Sequence, residues 1–152
     1  MFIDPESVPS QRKSNYPKEF QAFVKGRSRK KLGDVAGLTN FGVNLVELEP
    51  GSYSSVRHWH SKQDEFIYVL EGEITLMSDR GEQLLHAGDC AGFPAGEANG
   101  HHLQNRADSI AIYLEIGDRS QGDKVTYPDA DLLAQDSSKG WVFTRKNGVP
   151  YS

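Results

Sequence analysis

From Leu38 to Gly117, apolar and polar residues alternate with a period of two, in runs cut short by Gly, Asp and Pro. Phe41–Leu48 ends at Pro50-Gly51, Val56–His60 is followed by Glu65–Glu71 and Gly72, and Glu73–Met77 runs into Asp79-Arg80-Gly81. Glu82–His86 precedes Gly88-Asp89, His101–Arg106 leads to Ala107-Asp108, and Ile110–Ile116 stops at Gly117. Side chains on a strand change face at every residue, so each run predicts a strand with one buried side. Short strands with turn signals every roughly 8 to 12 residues predict an all-β sandwich or closed barrel. No segment of this region carries a helical period, and no internal repeat suggests a second barrel.

The flanks have a different texture. Residues 1–36 are polar and broken by Pro5, Pro9 and Pro17, which predicts an arm lying on the body, with one weak strand near Phe20–Val24. The arm closes on Lys25-Gly26-Arg27-Ser28-Arg29-Lys30-Lys31. These charges could meet a phosphate, but a charge run reads first as a solvated loop. Residues 129–152 predict a tail packed on or near the barrel, opening with a helical turn at Asp131–Ala134 and turning again at Asn147-Gly148. The organisation read from the chain is therefore an arm (1–36), a barrel (37–128) and a tail (129–152).

At 152 residues the chain has enough material for one core, not two. Its 17 basic and 21 acidic residues leave a net charge of −4, which argues against nucleic acid or an anionic membrane as the main partner. The longest purely apolar runs, Phe66–Leu70 and Ile110–Leu114, are far too short to span a bilayer. Asp4, Pro5 and Glu6 stand where an export signal needs apolar residues, so a cytoplasmic location is expected. The single cysteine, Cys90, excludes an internal disulfide and a cysteine-cluster metal site, and reads as a small buried residue.

Four of the five histidines, His58, His60, His101 and His102, carry the candidate chemistry. His58 and His60 are two apart on a predicted strand and point the same way. Alone, such a pair could be two solvent-facing imidazoles on an edge. Glu65, however, heads the next strand on the same face as Ile67 and Val69, and a carboxylate at the head of an inward apolar row calls for a cation.

The series Gly51-x6-His58-x-His60-x4-Glu65-x6-Gly72, followed by Gly88-x5-Pro94-x-Gly96-x4-His101-x3-Asn105, resembles the two motifs of the cupin superfamily. The gap after Gly51 is one residue longer than the family pattern, and two extra residues precede His101. The second departure leaves a choice between His101 and His102; the spacing to Asn105 and the parity of the strand both select His101. The resemblance implies a single cupin β-barrel, a double-stranded β-helix or jelly roll, among the small single-domain bacterial cupins, many named only by fold or as sugar-phosphate isomerases. It implies one divalent transition metal (Zn, Fe, Mn, Ni or Cu) held by His58, His60, Glu65 and His101. It also implies isomerase, dioxygenase or lyase chemistry on a small oxygen-bearing metabolite, or else a non-catalytic protein that binds or senses such a molecule through the metal. Glu65, able to swing off a metal and accept a proton, is the candidate catalytic residue.

The pocket walls are expected to include Val56, Ile67, Val69, Ile74, Leu76, Leu103, Ile110 and Ile112, or their immediate neighbours. No arginine is expected to face inward, which weighs against a phosphorylated ligand. Asp64 reads as a surface acid, and His86 as an exposed strand residue. Phe66, Tyr68 and Leu70 fall on the outer face of their strand, a row that a second copy of the chain would cover, so a homodimer is expected unless the arm covers it instead.

Overall fold

In the computed structural model, which describes residues 1–152, the chain is all-β with short helical turns in the arm. The strands are β1 (Arg27–Lys31), β2 (Phe41–Leu48), β3 (Trp59–His60), β4 (Glu65–Glu71), β5 (Glu73–Ser78) and β6 (Gly81–His86), then β7 (Cys90–Phe93), β8 (His102–Gln104), β9 (Ala111–Asp118), β10 (Lys124–Thr126), β11 (Leu133–Ser137) and β12 (Gly140–Thr144). They form antiparallel sheets in the orders β1-β2-β9-β4-β7, β12-β11-β10-β3 and β6-β5-β8. Single bridges, Tyr53 to Gln104 and His58 to His101, stitch the smaller sheets together. The result is the jelly roll that the alternation and the motif resemblance implied. No helix is long and apolar enough to cross a membrane.

Register fixes what faces the interior of the large sheet. Lys31 lies beside Asn44, Asn44 beside Glu115, and Glu115 beside Ile67. One row deeper, Arg29, Val46, Tyr113 and Val69 line up in the same way. One row nearer the mouth, Gly42, Gly117, Glu65 and Phe93 are neighbours, and the two glycines place no side chain beside Glu65 on the β9 side. The floor is a cluster of Val46, Leu48, Ile67, Val69, Ile74, Leu85, Leu103, Ala111 and Tyr113. The turn from β4 to β5 depends on Gly72, whose φ of +78° suits a residue without a Cβ. A Cβ there would also come within 2.8 Å of the Ile110 carbonyl oxygen.

Five expectations are corrected. Phe20–Val24 is not a strand: α1 (Lys18–Gln21) leads into a 3-10 turn at Ala22–Val24. The basic run is not a solvated loop, because Arg27–Lys31 forms β1 and pairs with β2 along its length. Asp131–Ala134 is not a helical turn. Leu132 and Ala134 are both buried, a period of two, and β11 and β12 pair as a hairpin. That hairpin joins Val56, Val125 and Tyr127 in a second core, which Tyr16, Phe20 and Tyr151 from the two chain ends complete. Finally, β9 is turned one residue from the expected register: Ala111 and Tyr113 are buried while Ile110 is exposed. Cys90 follows the same logic on β7, where Ala91 and Phe93 pack inward and the thiol is exposed.

Candidate metal centre

His58 and His60 stand on the segment that enters β3, Glu65 opens β4, and His101 directly precedes β8. Antiparallel bonding brings the first and last together: His58 and His101 exchange backbone hydrogen bonds in both directions, at 3.1 and 2.9 Å. Three imidazoles then converge on one oxygen. Glu65 Oε1 lies 3.3 Å from His58 Nε2, 3.2 Å from His60 Nε2 and 3.0 Å from His101 Nε2. The ligand atoms of His58, His60 and Glu65 all fall within 4.8 Å of one another.

The opposite nitrogens explain the orientation of each ring. His58 Nδ1 is 2.9 Å from the Val56 carbonyl, and His101 Nδ1 is 3.2 Å from that of Asn99. His60 Nδ1 is 2.5 Å from Asp123 Oδ2. These oxygens only accept, so each Nδ1 carries the hydrogen and, in a neutral ring, each Nε2 presents a bare lone pair. Three lone pairs and a carboxylate facing one point make a set of acceptors with no donor, which a cation would satisfy. Without metal, protons fill part of that role. Burial works against a charged His60, but Glu65 and then Asp123 outweigh it and raise its pKa to about 9. Burial likewise works against an ionised Glu65, and the facing imidazoles of His58, His101 and His60 hold its pKa well below the usual range.

Packing fixes the rings in place. Phe93 stacks flat on His101 with centroids 3.6 Å apart, and Tyr127 lies 5.8 Å from His58. Arg57, between Val56 and His58, forms a bidentate pair with Asp129 at 2.7 and 2.8 Å and also bonds Asp79 and the Gly100 carbonyl. The loop carrying His58 is thereby tied to the β5–β6 turn and to the start of the tail. His102 points elsewhere, stacked with Tyr53 and donating from Nδ1 to the Ser55 carbonyl oxygen, 2.9 Å away. Of the two neighbouring histidines, it is His101 that reaches Glu65.

The cluster opens into a cavity of about 730 Å³ that also reaches Asn44, Tyr113 and Glu115. A second space of about 370 Å³ meets it from the side of Trp59 and Arg80. Two features were not foreseen. Asp123, fully buried, accepts from the backbone of Lys62 at 2.8 Å and of Gln63 at 3.3 Å as well as from His60; nothing in the local sequence marks a partner 63 residues away. The second is that arginines do face inward: Arg27 and Arg29, together with Lys31, line the large cavity. Their period of two within the basic run was the available signal.

The family model described as a cupin domain matches residues 44–117. A solved structure of a cupin-superfamily sugar phosphate isomerase from Silicibacter pomeroyi is 45% identical, with a TM-score of 0.95, over 100% of this chain and 97% of that one. A protein from Acidithiobacillus ferrooxidans, provisionally named a sugar phosphate isomerase, is 31% identical, with a TM-score of 0.76, over 83% of this chain and 81% of that one. The polyketide cyclase RemF from Streptomyces resistomycificus, 22% identical with a TM-score of 0.65 over 78% of both chains, shares the fold. No curated protein matches the chain. The paired histidine–glutamate geometry, the jelly-roll topology and the two relatives above 30% identity together place this chain in the cupin superfamily.

Proposed function

We propose that the chain is a metal-dependent isomerase acting on a small oxygen-bearing metabolite, with a sugar phosphate as the substrate class. The observation that carries this reading is the convergence of three imidazole nitrogens on one oxygen of Glu65 at the mouth of a cavity. The names of the two similar solved structures support isomerisation over dioxygenase or lyase chemistry.

In this reading His58, His60, Glu65 and His101 hold one divalent transition metal, which when bound polarises a substrate carbonyl and its neighbouring hydroxyl. The protein supplies the rest. Asp123 keeps the His60 hydrogen on Nδ1, and the Val56 and Asn99 carbonyls do the same for the other two rings. The apolar floor of Val46, Ile67 and Leu103 limits the water around the reacting carbons. Glu65 serves as ligand and as the base that takes a proton from the carbon beside the carbonyl. Returning it to the former carbonyl carbon, while the hydroxyl proton passes to the former carbonyl oxygen, moves the carbonyl by one position, with no atom gained or lost and no oxidant consumed.

The test is proton NMR of metal-loaded protein in D₂O with a panel of aldose and ketose phosphates. The proposal predicts interconversion with deuterium entering at the exchanged carbon, and loss of turnover by at least about 100-fold in Glu65→Gln. Oxygen consumption in place of isomerisation, or a Glu65→Gln variant that keeps its metal and its full rate, would contradict it.

A further inference from the structure

β1 places Arg27, Arg29 and Lys31 on one face, and that face lines the same cavity as His58, Glu65 and His101. Arg27 is 5% exposed, yet its side chain makes one hydrogen bond, from Nη1 to the Ser54 carbonyl at 2.5 Å, and no carboxylate lies within 4.0 Å of it. A buried guanidinium has several N–H groups to satisfy and a charge to neutralise, and leaving both undone is costly. Arg29 repeats the pattern: its Nε is buried without a hydrogen-bond partner. The nearest carboxylate, Glu115, stands 3.9 Å from Arg29 Nε, beyond hydrogen-bond range, and accepts instead from Asn44 Nδ2 at 3.0 Å. Beside them in the same row, the Tyr113 hydroxyl is also buried without a partner. Burial and then the neighbouring Arg29 charge both act to lower the Arg27 pKa, as expected of like charges held together with no anion between them.

We infer that Arg27, Arg29 and Tyr113 form a binding site for the phosphoryl group of the substrate, at the β1 side of the cavity and apart from the metal cluster. Two forked guanidinium groups and a phenol match the several acceptor oxygens and double charge of a phosphate monoester better than a single carboxylate. Both groups line one cavity of about 730 Å³, so a ligand held at one opens toward the other. Arg27 holds Ser54, and the Ser55 hydroxyl lies 3.2 Å from His58 Nδ1, so the two sites are linked through adjacent residues whose Cα atoms are about 3.8 Å apart. Lys31, nearer the mouth in the row of Asn44 and Glu115, adds a positive entrance. This inference rests on the isomerase reading only for the identity of the molecule that carries the phosphoryl group.

The experiment measures binding of inorganic phosphate to metal-loaded protein by calorimetry, in the wild type, Arg27→Met, Arg29→Met and Lys30→Met. Lys30 serves as the control because it faces away, with its ammonium on the Pro5 carbonyl. Phosphate is expected to bind the wild type and Lys30→Met within twofold of each other, and each arginine variant at least about tenfold more weakly. Metal content and the unfolding midpoint are measured alongside. Arg29, less buried than Arg27, keeps the test valid if Arg27→Met fails to fold. For any phosphorylated substrate that turns over, the same variants should raise KM with little change in kcat, while the unphosphorylated analogue loses nothing further. Phosphate that fails to bind the wild type, or that binds Arg29→Met as tightly as Lys30→Met, overturns the inference. Phosphate binding that follows the arginines in a protein with no isomerase activity would sustain the site and overturn the proposed reaction.

Discussion

At the scale of single residues, the site is built by what stands behind each ligand. His60 is aimed by Asp123, whose two oxygens serve one imidazole and the backbone of Lys62 and Gln63. In Asp123→Asn an amide nitrogen must face at least one of those donors. Metal affinity, read by chelator competition, is expected to fall by about 10- to 100-fold, the usual effect of losing such a partner. Affinity within twofold of the wild type would show that His60 orientation does not depend on Asp123. The histidine pair, Glu65 and the choice of His101 over His102 were legible in the sequence, because strand parity and motif spacing are local properties. Asp123 was not, since its role follows from β3 pairing with β10, a contact between segments distant in the chain. Arg27 and Arg29 were misread because a charge run is ordinarily a solvated face, and only the pairing of β1 with β2 turns alternate members inward.

At the scale of elements, the segment that delivers His58 is held by the Arg57 fork on Asp129 and by its bond to Asp79. The Arg57 guanidinium holds the Asp129 carboxyl below its ordinary value of 3.8. A depressed carboxyl pKa adds stability that is present above the unfolded value and is lost as pH falls through the lower, folded one. The wild type should therefore be more stable than Asp129→Asn at neutral pH, by no more than about 1 kcal/mol for so exposed a pair. The gap should close as pH drops below 3.8. Denaturant titrations across pH check this, and a gap that widened on acidification would reverse the sign of the argument. The central strands were readable because each buries one face and shows the other to solvent. The tail was not: Leu132 and Ala134 read equally well as a helical turn, and β11 becomes a strand through its hairpin partner and the second core. In β9 the apolar run from Ile110 to Leu114 has no alternation to fix its parity, which explains the one-residue slip in the expected register.

At the scale of the whole molecule, the outer face of β4 remains uncovered. Phe66, Tyr68 and Leu70 are 39, 40 and 45% exposed, and the arm does not lie over them; Gln11 pairs with Arg29 at the opposite edge of the sheet. We expect a second copy of the chain to pack there. Sedimentation equilibrium should give a dimer at micromolar concentration, and Tyr68→Glu should shift it toward monomer by placing a charge on that face. A wild type that sediments as a monomer would remove the dimer from the account. The same exposed face carries Cys90 opposite Tyr68, so a dimer should also slow modification of the thiol.

Elemental analysis of the purified protein tests the central claim most directly, with His58→Ala and His101→Ala prepared in parallel. The arrangement of three imidazoles around Glu65 predicts about one transition metal per wild-type chain and loss of most of it in either variant, with the fold retained by circular dichroism. A wild type that takes up no metal even when reconstituted, or a His101→Ala variant that keeps a full equivalent, would contradict it.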